Sequence, residues 1–442
     1  MSSVDILNDR LSKTLKEFIV PKFQKNFWFI SKKPMLKAIG MSLDENSAGD
    51  GSNVMPRVQK VEKVNSAYEA EVVHNHTPFG GGTYGQSISQ TLRYGKFQGS
   101  RSSLRMKTIT QAMLIPDQVI SASRSNEFSL VNELTQNMTG ATHEIHRNLN
   151  RMMSGRGSGI LGYVNGAVNS SNVVTVQTNT SATNEVDATQ YLQRGDVLLI
   201  GTTAEIEADP STAETVTVSS VDSSVQFTTT TDETLSDEDV IVRADVYDAT
   251  NTVYNEVQSL TGLVTNTGTI QNINKANNFW FQSHVTSSVG TLALSDIDDS
   301  VGAVRSFSID PSALFLMGNR KQWRRYAALL QANRRFQNNT KSDFGGQLAG
   351  GIGGLSVYTP DGELPFAIDD DVPDGYIFVI DPNGYAWMDF RPYGPADDAL
   401  NKEGFPGQRK SGTLDYEFAL WMGGNLAQLN AQSSAVLSGI TG

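Results

Sequence analysis

The chain has 442 residues, of which 38% are hydrophobic and 19% charged, and its net charge is −12. This length suffices for two or three domains with sizeable cores. The sequence contains no cysteine, which excludes disulfides, thiolate chemistry and cysteine-based zinc sites. No apolar run approaches the length of a membrane span, and the N-terminus lacks a basic region before an apolar core, so we expect neither a membrane segment nor a signal peptide.

The acidic charge is unevenly distributed along the chain. Residues 170–250 hold 15 acidic residues and two arginines, a balance of −13, so the rest of the chain carries −12 − (−13) = +1. We therefore expect one segment to carry one acidic surface.

The first segment, residues 1–65, is predicted to be a basic arm. Residues 1–39 hold eight Lys and Arg against three acids, and the apolar residues from Ile6 to Ile19 have helical spacing. Such an arm can bind a membrane, nucleic acid or a partner subunit, and docking on its own or a neighbouring chain is the favoured interpretation. The candidate contact residues are Lys13, Lys16, Phe18, Lys22, Lys25 and Trp28.

Residues 66–115 are predicted to form an extended hairpin that is rich in Gln, Ser and Thr. The expected elements are an alternating segment at Tyr68–Val73, strands at Ile88–Tyr94 and Leu104–Ile115, and a turn at Gly95–Arg101. A hairpin this polar has too few large apolar residues to form a core alone. We therefore expect it to lie across another subunit, and nucleic acid is the second interpretation of its basic charge. The candidate interface residues are Phe79, Tyr84, Arg93, Lys96, Phe97, Arg101, Arg105 and Lys107.

Residues 116–167 are predicted to be organised by one long amphipathic helix. Apolar residues recur in steps of three or four from Ser125 to Met153, and the glycines after Ser154 end the helix. Polar residues fill the other faces. This pattern suggests a spine with a sheet on one side and a partner surface on the other.

Residues 168–246 are predicted to be an inserted β-rich domain that carries the acidic charge. The segment is dense in Thr, Ser, Val and Asp, which is typical of short strands separated by turns. The expected strands are Val173–Val176, Val197–Ile200, Thr215–Val221, Val225–Thr230 and Val240–Val242.

The remaining segments, 247–360 and 361–442, are predicted to mix helices and strands. The expected helices are Tyr254–Leu260, Leu294–Arg305 and a basic helix around Arg324, whose charge fits either phosphate contacts or paired interface charge. The expected strands are Pro311–Met317, Leu355–Tyr358, Leu364–Ile368, Tyr376–Ile380 and Phe418–Met422, and Asn278–Phe281 is expected to be a buried anchor.

The sequence predicts no catalytic, cofactor-binding or metal-binding constellation. Gly157–Gly162 matches a dinucleotide-binding glycine motif, but it follows a helix instead of a strand. Asp237–Asp239 lacks the spacing of a calcium loop. Two histidine pairs, His74 with His76 and His143 with His146, have the separation of metal ligands but no evident third ligand, so solvated or interfacial histidines are the favoured interpretation.

Taken in order, the basic arm, polar hairpin, spine helix, glycine-rich turns, inserted domain and closing sheet resemble the major capsid proteins of tailed double-stranded DNA bacteriophages, the HK-ninety-seven type of fold. The resemblance covers about residues 105–165 and 250–440. The segments that carry it are Lys107–Gln111, Ser154–Gly162, Leu260–Leu263, Pro311–Met317, Val357–Pro360 and Leu429–Ser434.

This resemblance implies an α+β phage capsid fold with an N-terminal arm, an extended β-hairpin loop, a long spine helix, peripheral and axial domains, and an inserted β-rich domain. Residues 247–360 would be mainly axial domain, and 361–442 would return to the peripheral sheet. The implied function is that of a structural, non-enzymatic capsid protein that assembles into pentamers and hexamers of an icosahedral shell around double-stranded phage DNA.

The resemblance also implies partners and a location. The partners would be further copies of the chain, a scaffolding protein, a portal and decoration proteins, together with packaged DNA held by non-specific contacts; no cofactor and no membrane is implied. The location would be the virion capsid, after synthesis in the bacterial host cytoplasm.

Two other classes of protein remain alternatives. An encapsulin-like nanocompartment shares the fold but packages enzymes, so a protein cargo would favour it, whereas DNA retained after nuclease treatment would favour the phage. A β-rich surface adhesin would explain the Thr/Ser-rich insertion but not the spine and the basic hairpin.

Overall fold

In the part of the chain that the structure, a computed structural model, describes, two large β-sheets and a closed barrel pack around one buried helix. A three-stranded sheet and two two-stranded sheets complete the β-structure of these residues. The described residues are Met35 and residues 57–58, 61–64, 67–75, 99–115, 140–141, 144–155, 157, 159–177, 189, 191–208, 212–244, 246–248, 253–308, 310–332, 356–359, 362–395, 407–409 and 416–441.

The strands in chain order are β1 (Arg57–Val58), β2 (Val61–Val64), β3 (Ala67–Asn75), β4 (Gly99–Arg105), β5 (Lys107–Ile115), β6 (Ile160–Val164), β7 (Val168–Gln177), β8 (Val197–Gly201), β9 (Glu214–Ser223), β10 (Gln226–Leu235), β11 (Val240–Arg243), β12 (Tyr247–Asp248), β13 (Val253–Tyr254), β14 (Thr269–Ile270), β15 (Ile273–Asn274), β16 (His284–Thr286), β17 (Phe315–Gly318), β18 (Ser356–Thr359), β19 (Gly362–Ile368), β20 (Ile377–Ile380), β21 (Tyr385–Pro395), β22 (Gly407–Arg409), β23 (Tyr416–Gln428) and β24 (Ser434–Leu437). The helices are α1 (144–154), α2 (Thr203–Ala208), α3 (Leu260–Leu263), α4 (Leu294–Arg305) and α5 (Arg320–Ala332).

The first sheet is built around β23. This strand pairs antiparallel with β5, β21 and β22, and β1 pairs parallel with β21. Trp387 and Leu426 on the sheet are fully buried against Ile145, Leu149 and Met153 of α1. These helix residues recur at every fourth position, so one face of α1 packs on the sheet as the periodicity predicts.

The second sheet has six strands in the order β16-β24-β20-β17-β19-β18. All four residues of its central strand β20, Ile377–Ile380, are buried, because both faces of the sheet are covered. One face packs on α4 and α5, and the other packs on the core of α1. The predicted boundary between residues 360 and 361 cuts this sheet, since β19, β20 and β24 pair with strands from the segment before it or with each other.

A closed barrel of six strands, ordered β10-β7-β6-β11-β8-β9, occupies the inserted region. Val216 and Val218 point into its core, while Thr215 and Thr217 between them do not, which is the alternation of a strand with one buried face. All five strands predicted for this region are confirmed. The barrel begins at Ile160, before the predicted boundary at residue 168, because β6 pairs with β7 and β11.

Several predictions for the C-terminal half are confirmed, among them the helix Leu294–Arg305, the basic helix that begins at Arg320 and the strand Phe418–Met422, which β23 includes. The helix predicted at Tyr254–Leu260 is wrong. Tyr254 ends a strand, and the helix begins only at Leu260, where the Ser259 side chain caps it by accepting the Gly262 amide hydrogen. In the predicted anchor, Phe281 is fully buried but Phe279 is 71% exposed.

Candidate subunit interface

Strands β3 and β4 form an antiparallel ribbon whose two faces differ. On one face Ala70, His74, Ser102 and Leu104 are at most 6% exposed, because this face lies on the rest of the chain. On the other face Val73 lies opposite Arg101, and Val73 is 61% exposed. β2 pairs antiparallel with the first half of β3, so the ribbon is part of a three-stranded sheet. So small a sheet needs a further hydrophobic surface for stability, and the ribbon finds it on a single face only.

His74 fixes the ribbon to the body of the protein. Its Nδ1 lies 3.1 Å from the Leu429 carbonyl oxygen and its Nε2 lies 2.8 Å from Ser102 Oγ. The ring also packs against Trp280 and Phe281, with ring centroids 5.6 and 5.0 Å away. His74 therefore acts as a buried structural side chain. His76, its proposed companion in a metal pair, lies outside the described residues.

Backbone contacts hold the same ribbon at its base. The Ser103 amide donates a hydrogen bond to the Gln271 carbonyl oxygen at 3.1 Å, and the Asn272 side chain donates to Ser103 Oγ. Leu104 and Met106 pack on the first sheet, in a buried cluster with Ala386, Met388 and Ala427. The buried face of the ribbon is thus satisfied within the chain, and the exposed face is the one available to a partner.

Three of the eight candidate interface residues lie in the described part of the chain. The Arg101 side chain is 76% exposed and its guanidinium lies 3.7 Å from the Glu71 carboxylate. Arg105 and Lys107 are only half-buried. The five other interface candidates (Phe79, Tyr84, Arg93, Lys96, Phe97) and the six arm candidates (Lys13, Lys16, Phe18, Lys22, Lys25, Trp28) lie outside the described residues, as does the predicted strand Ile88–Tyr94.

Strand pairing corrects the predicted hairpin in two respects. The turn predicted at Gly95–Arg101 is wrong from Gly99 on, because Gly99–Arg101 already belong to β4. The strand predicted at Leu104–Ile115 was expected to extend over a neighbouring subunit. Most of it does not, because Lys107–Ile115 pairs with β23 of its own chain. Within the described part of the predicted hairpin, the surface left for another subunit is therefore the exposed face of the β3–β4 ribbon.

The polar side of α1 was predicted to be a surface for a partner. It is instead covered by other parts of the same chain. Asn150 is 1% exposed and its Nδ2 donates to both carboxylate oxygens of Asp369, at 3.1 and 3.0 Å. Ser154 donates to the same carboxylate at 2.8 Å. These bonds hold the polar side of α1 against Asp369 of the same chain, so this face packs inside the subunit.

A buried ion pair continues this network. The Arg151 guanidinium binds the Glu256 carboxylate, which also accepts a 2.9 Å hydrogen bond from the Gly159 amide. Burial alone would lower the pKa of Arg151, but Glu256 outweighs it and raises that pKa. The glycine-rich motif therefore holds a carboxylate of its own chain. Gly159 has φ +73°, and a Cβ there would lie 2.1 Å from Val246 Cγ2.

The barrel joins α1 through Tyr191 and Arg243, a contact that we call the barrel latch. The Tyr191 hydroxyl donates to the Asp371 carboxylate, and the Arg147 guanidinium lies over the Tyr191 ring, 4.8 Å from its centroid. Arg243 binds the Glu144 carboxylate of α1 at 3.2 Å. Burial, and then the charge and hydrogen bond of Asp371, raise the pKa of Tyr191, so its hydroxyl stays protonated as a donor.

We expect Tyr191→Phe to weaken the barrel latch. The substitution keeps the ring under Arg147 but removes the donor to Asp371, and the loss of a buried hydrogen bond to a charged group costs about 1.5–3 kcal/mol. Chemical denaturation should show this loss, and amide hydrogen exchange should become faster around Tyr191 and Asp371. Tyr376→Phe is the matched control, since Tyr376 stacks on Phe378 and donates no hydrogen bond within the described residues. Equal stability of the two variants would contradict the latch.

The basic helix α5 has most of its charge paired within the chain. Lys321 lies 2.8 Å and Arg325 3.7 Å from the Asp374 carboxylate, and Arg320 lies 3.5 Å from Asp370. Burial alone would raise the pKa of Asp374, but the bond and charge of Lys321 and the charge of Arg325 lower it below its usual value. Paired charge therefore explains this helix better than phosphate contacts. Arg334 and Arg335 lie outside the described residues.

The acidic run Asp237–Asp239 shapes a turn of the barrel. The Asp237 carboxylate accepts from the Gly166 amide at 2.7 Å, and that of Asp239 accepts from the Ser236 amide at 2.7 Å. No group of three potential metal ligands occurs within the described residues. Among the described helices, none is long and apolar enough to cross a membrane.

The sequence analysis missed Val73, Tyr191 and Asp371 as contact residues. Val73 lies in an alternating segment, but alternation does not show which face is covered. Tyr191 is an aromatic residue within a polar stretch, and that contrast is the signal that could have identified it. Asp371 lies 180 residues away from Tyr191, so only the folded chain brings them together.

No family model matches this chain, and no curated protein matches it in sequence. Among solved structures, it is similar to the capsid asymmetric unit of cyanophage A-1(L), with 12% identity, 94% of each chain covered and a TM-score of 0.46. It is also similar to the capsid of a native GTA particle, with 11% identity, 87% of each chain covered and a TM-score of 0.39. An encapsulin complex from Synechococcus elongatus matches at 13% identity over 36% of this chain and 53% of that one, with a TM-score of 0.21. The two capsid structures thus span most of the chain, and the encapsulin about a third of it.

Proposed function

We propose that this chain is the major capsid protein of a tailed double-stranded DNA bacteriophage. In this role it assembles into pentamers and hexamers of an icosahedral shell that encloses phage DNA. Its partners are further copies of itself, with scaffolding, portal and decoration proteins, and it is made in the bacterial host cytoplasm before it enters the virion.

The observation that carries the proposal is the one-sided ribbon of β3 and β4. Its inner face is buried through Ala70, His74 and Leu104, and its outer face carries an apolar residue, Val73, beside the exposed Arg101. An extended element with one face committed to the subunit, and with an exposed face on which charged residues surround one apolar side chain, is suited to contact a second copy. A shell repeats such a contact many times, so that individually weak interfaces sum to a stable container.

The remaining architecture supports a structural role. The polar groups of α1 and the glycine motif bind carboxylates of their own chain, and these bonds hold the second sheet and the barrel to one helix, while apolar packing holds the first sheet to it. The acidic residues of the barrel are largely exposed, as on a particle surface where like charge keeps particles apart. Contacts to packaged DNA would be electrostatic and independent of sequence.

The test is assembly of the expressed chain, followed by negative-stain microscopy, with Val73→Asp/Arg101→Glu as the variant. Both side chains are exposed, so the variant should fold, but the two new carboxylates lie opposite each other across β3 and β4 and should lower the free energy of unfolding by about 1 kcal/mol. The yield of closed particles should fall, because the substitutions place negative charge on the contact face. Val221→Asp/Arg194→Glu makes the same chemical changes at exposed barrel positions and should keep the wild-type yield.

The outcomes separate the proposed function from its rivals. Wild-type particles that retain DNA after nuclease treatment support the phage capsid, whereas particles that hold a protein cargo instead indicate a nanocompartment. A wild-type chain that stays monomeric or forms fibres contradicts a shell of either kind. A normal particle yield from the ribbon variant would show that the ribbon is not the contact.

A further inference from the structure

Two helices on one face of the second sheet carry opposite charge. Ile297, Val301 and Val304 of α4 and Tyr326 of α5 share a buried cluster with the strands beneath them. Helix α4 packs mainly on β24 and β16, at one end of the strand order, whereas α5 packs on β19, toward the other end. The two helices thus occupy opposite ends of the same sheet face.

Helix α4 presents the acidic end. It contains Asp296, Asp298, Asp299 and Arg305, three acids and one base, for a balance of −2. Asp296 is used within the helix, since its carboxylate accepts from the Ala293 amide at 2.9 Å. Asp298 and Asp299 are exposed, and neither forms an ion pair within the described part of the chain.

Helix α5 presents the basic end. Its four bases are Arg320, Lys321, Arg324 and Arg325, and the helix contains no acid, while Asp370 and Asp374 lie against three of these bases. Arg320 and Arg324 are one helical turn apart, and both are exposed. The two helices, at opposite ends of the sheet face, therefore carry formal charge of opposite sign.

Exposed apolar residues accompany both helices. Leu294 at the start of α4 is 38% exposed, and Phe307, two residues beyond its end, is 41% exposed. Ile368, at the end of β19 and near the Asp370 that pairs with Arg320, is 39% exposed. Each charged end therefore also offers apolar area, which supplies the affinity that exposed charges alone do not.

We propose that the acidic face of α4, around Asp298 and Asp299, docks on the basic face of α5, around Arg320 and Arg324, of a second copy. This contact joins different surfaces of the two copies, so it is head-to-tail and closes into a ring when the rotation per subunit fits. The occupant is a second copy because the complementary charge lies on the same molecule. Nucleic acid fits less well, since the carboxylates of Asp374 and Asp370 already lie against three of the four bases of α5. The inference rests on the proposed shell function and names the surfaces that build its rings.

The test uses two charge-reversed variants of the full chain, Asp298→Lys/Asp299→Lys and Arg320→Glu/Arg324→Glu. Each variant should fold but form fewer rings, by about tenfold or more, because each now presents like charge on both faces of the contact. A chain with all four substitutions should form rings again, since the charges are exchanged. A mixture of the two variants should form six-membered but not five-membered rings, because alternation around a ring requires an even number of subunits.

Asp232→Lys/Glu238→Lys is the matched control, which makes the same change in net charge at exposed positions of the barrel and should assemble as the wild type does. Ring formation should be counted by microscopy and native mass measurement. If the wild type and the control form particles and Asp298→Lys/Asp299→Lys does so equally well, the inference is overturned while the shell function stands. If the wild type forms no rings, the proposed function itself fails. Normal assembly of Arg320→Glu/Arg324→Glu with reduced DNA retention would assign α5 to nucleic acid and also overturn the inference.

Discussion

Arg151→Met is expected to lower the free energy of unfolding by about 3–5 kcal/mol, which is typical when one partner of a buried ion pair is removed. The Arg151 and Glu256 side chains are only 8% and 7% exposed, so the carboxylate left behind would lie in a low-dielectric site. It would keep the Gly159 amide as a donor but lose its counter-charge. Denaturant unfolding of the purified chain measures the loss directly.

The double variant Arg151→Met/Glu256→Gln separates the ion pair from simple packing. It removes both charges but keeps an acceptor for the Gly159 amide, so its stability should lie well above that of Arg151→Met. Arg194→Met, at an exposed position on the barrel, should change stability by no more than about 0.5 kcal/mol. A loss at Arg151 as small as that at Arg194 would show that the pair does not hold α1 in place.

Lys275→Met is expected to lower the free energy of unfolding by about 3 kcal/mol. Each buried acceptor that loses its donor costs about 1–3 kcal/mol. Part of this cost is offset, because the variant no longer has to bury a charged group. Lys275 is fully buried, and its protonated Nζ donates to three oxygens. These are the carbonyl oxygens of Leu263 and Thr265 and the side-chain oxygen of Gln428, the last at 2.9 Å. The bonds connect the segment after α3 to the end of β23. Arg194→Met, at an exposed position on the barrel, is the control.

The same lysine predicts a pH dependence. Burial lowers the pKa of Lys275 from 10.5 to about 7. Between these values the unfolded chain binds a proton that the folded chain does not, so the free energy of unfolding rises with pH, by at most about 1.4 kcal/mol per pH unit. Below pH 7 the lysine is protonated in both states and contributes no slope. The difference between wild type and Lys275→Met should therefore grow from pH 7 to 9, and a constant difference would contradict the lowered pKa.

Local pattern predicted much of the secondary structure. The bounds of α4 follow from apolar residues at helical spacing, and Ile297, Val301 and Val304 are indeed the buried ones. The barrel strands follow from alternation of Val with Thr between turn residues, as at Thr215–Val218. Both patterns are local, because a helix or strand that buries one face repeats its apolar residues with the period of its own backbone.

What surrounds each face was decided only by the tertiary structure. The sequence pattern predicts Lys107–Ile115 to be part of a hairpin, yet this segment pairs with a strand some 300 residues later, at Tyr416–Gly424. The sequence pattern predicts the polar side of α1 to be a partner surface, yet Asp369 and Glu256, from distant segments of the chain, cover it. The sequence alone determined which side chains favour burial and with what period. The sequence alone could not determine which element covers each buried face. A strand edge or a polar helix face forms its hydrogen bonds equally well with any donor or acceptor that the folded chain brings to it.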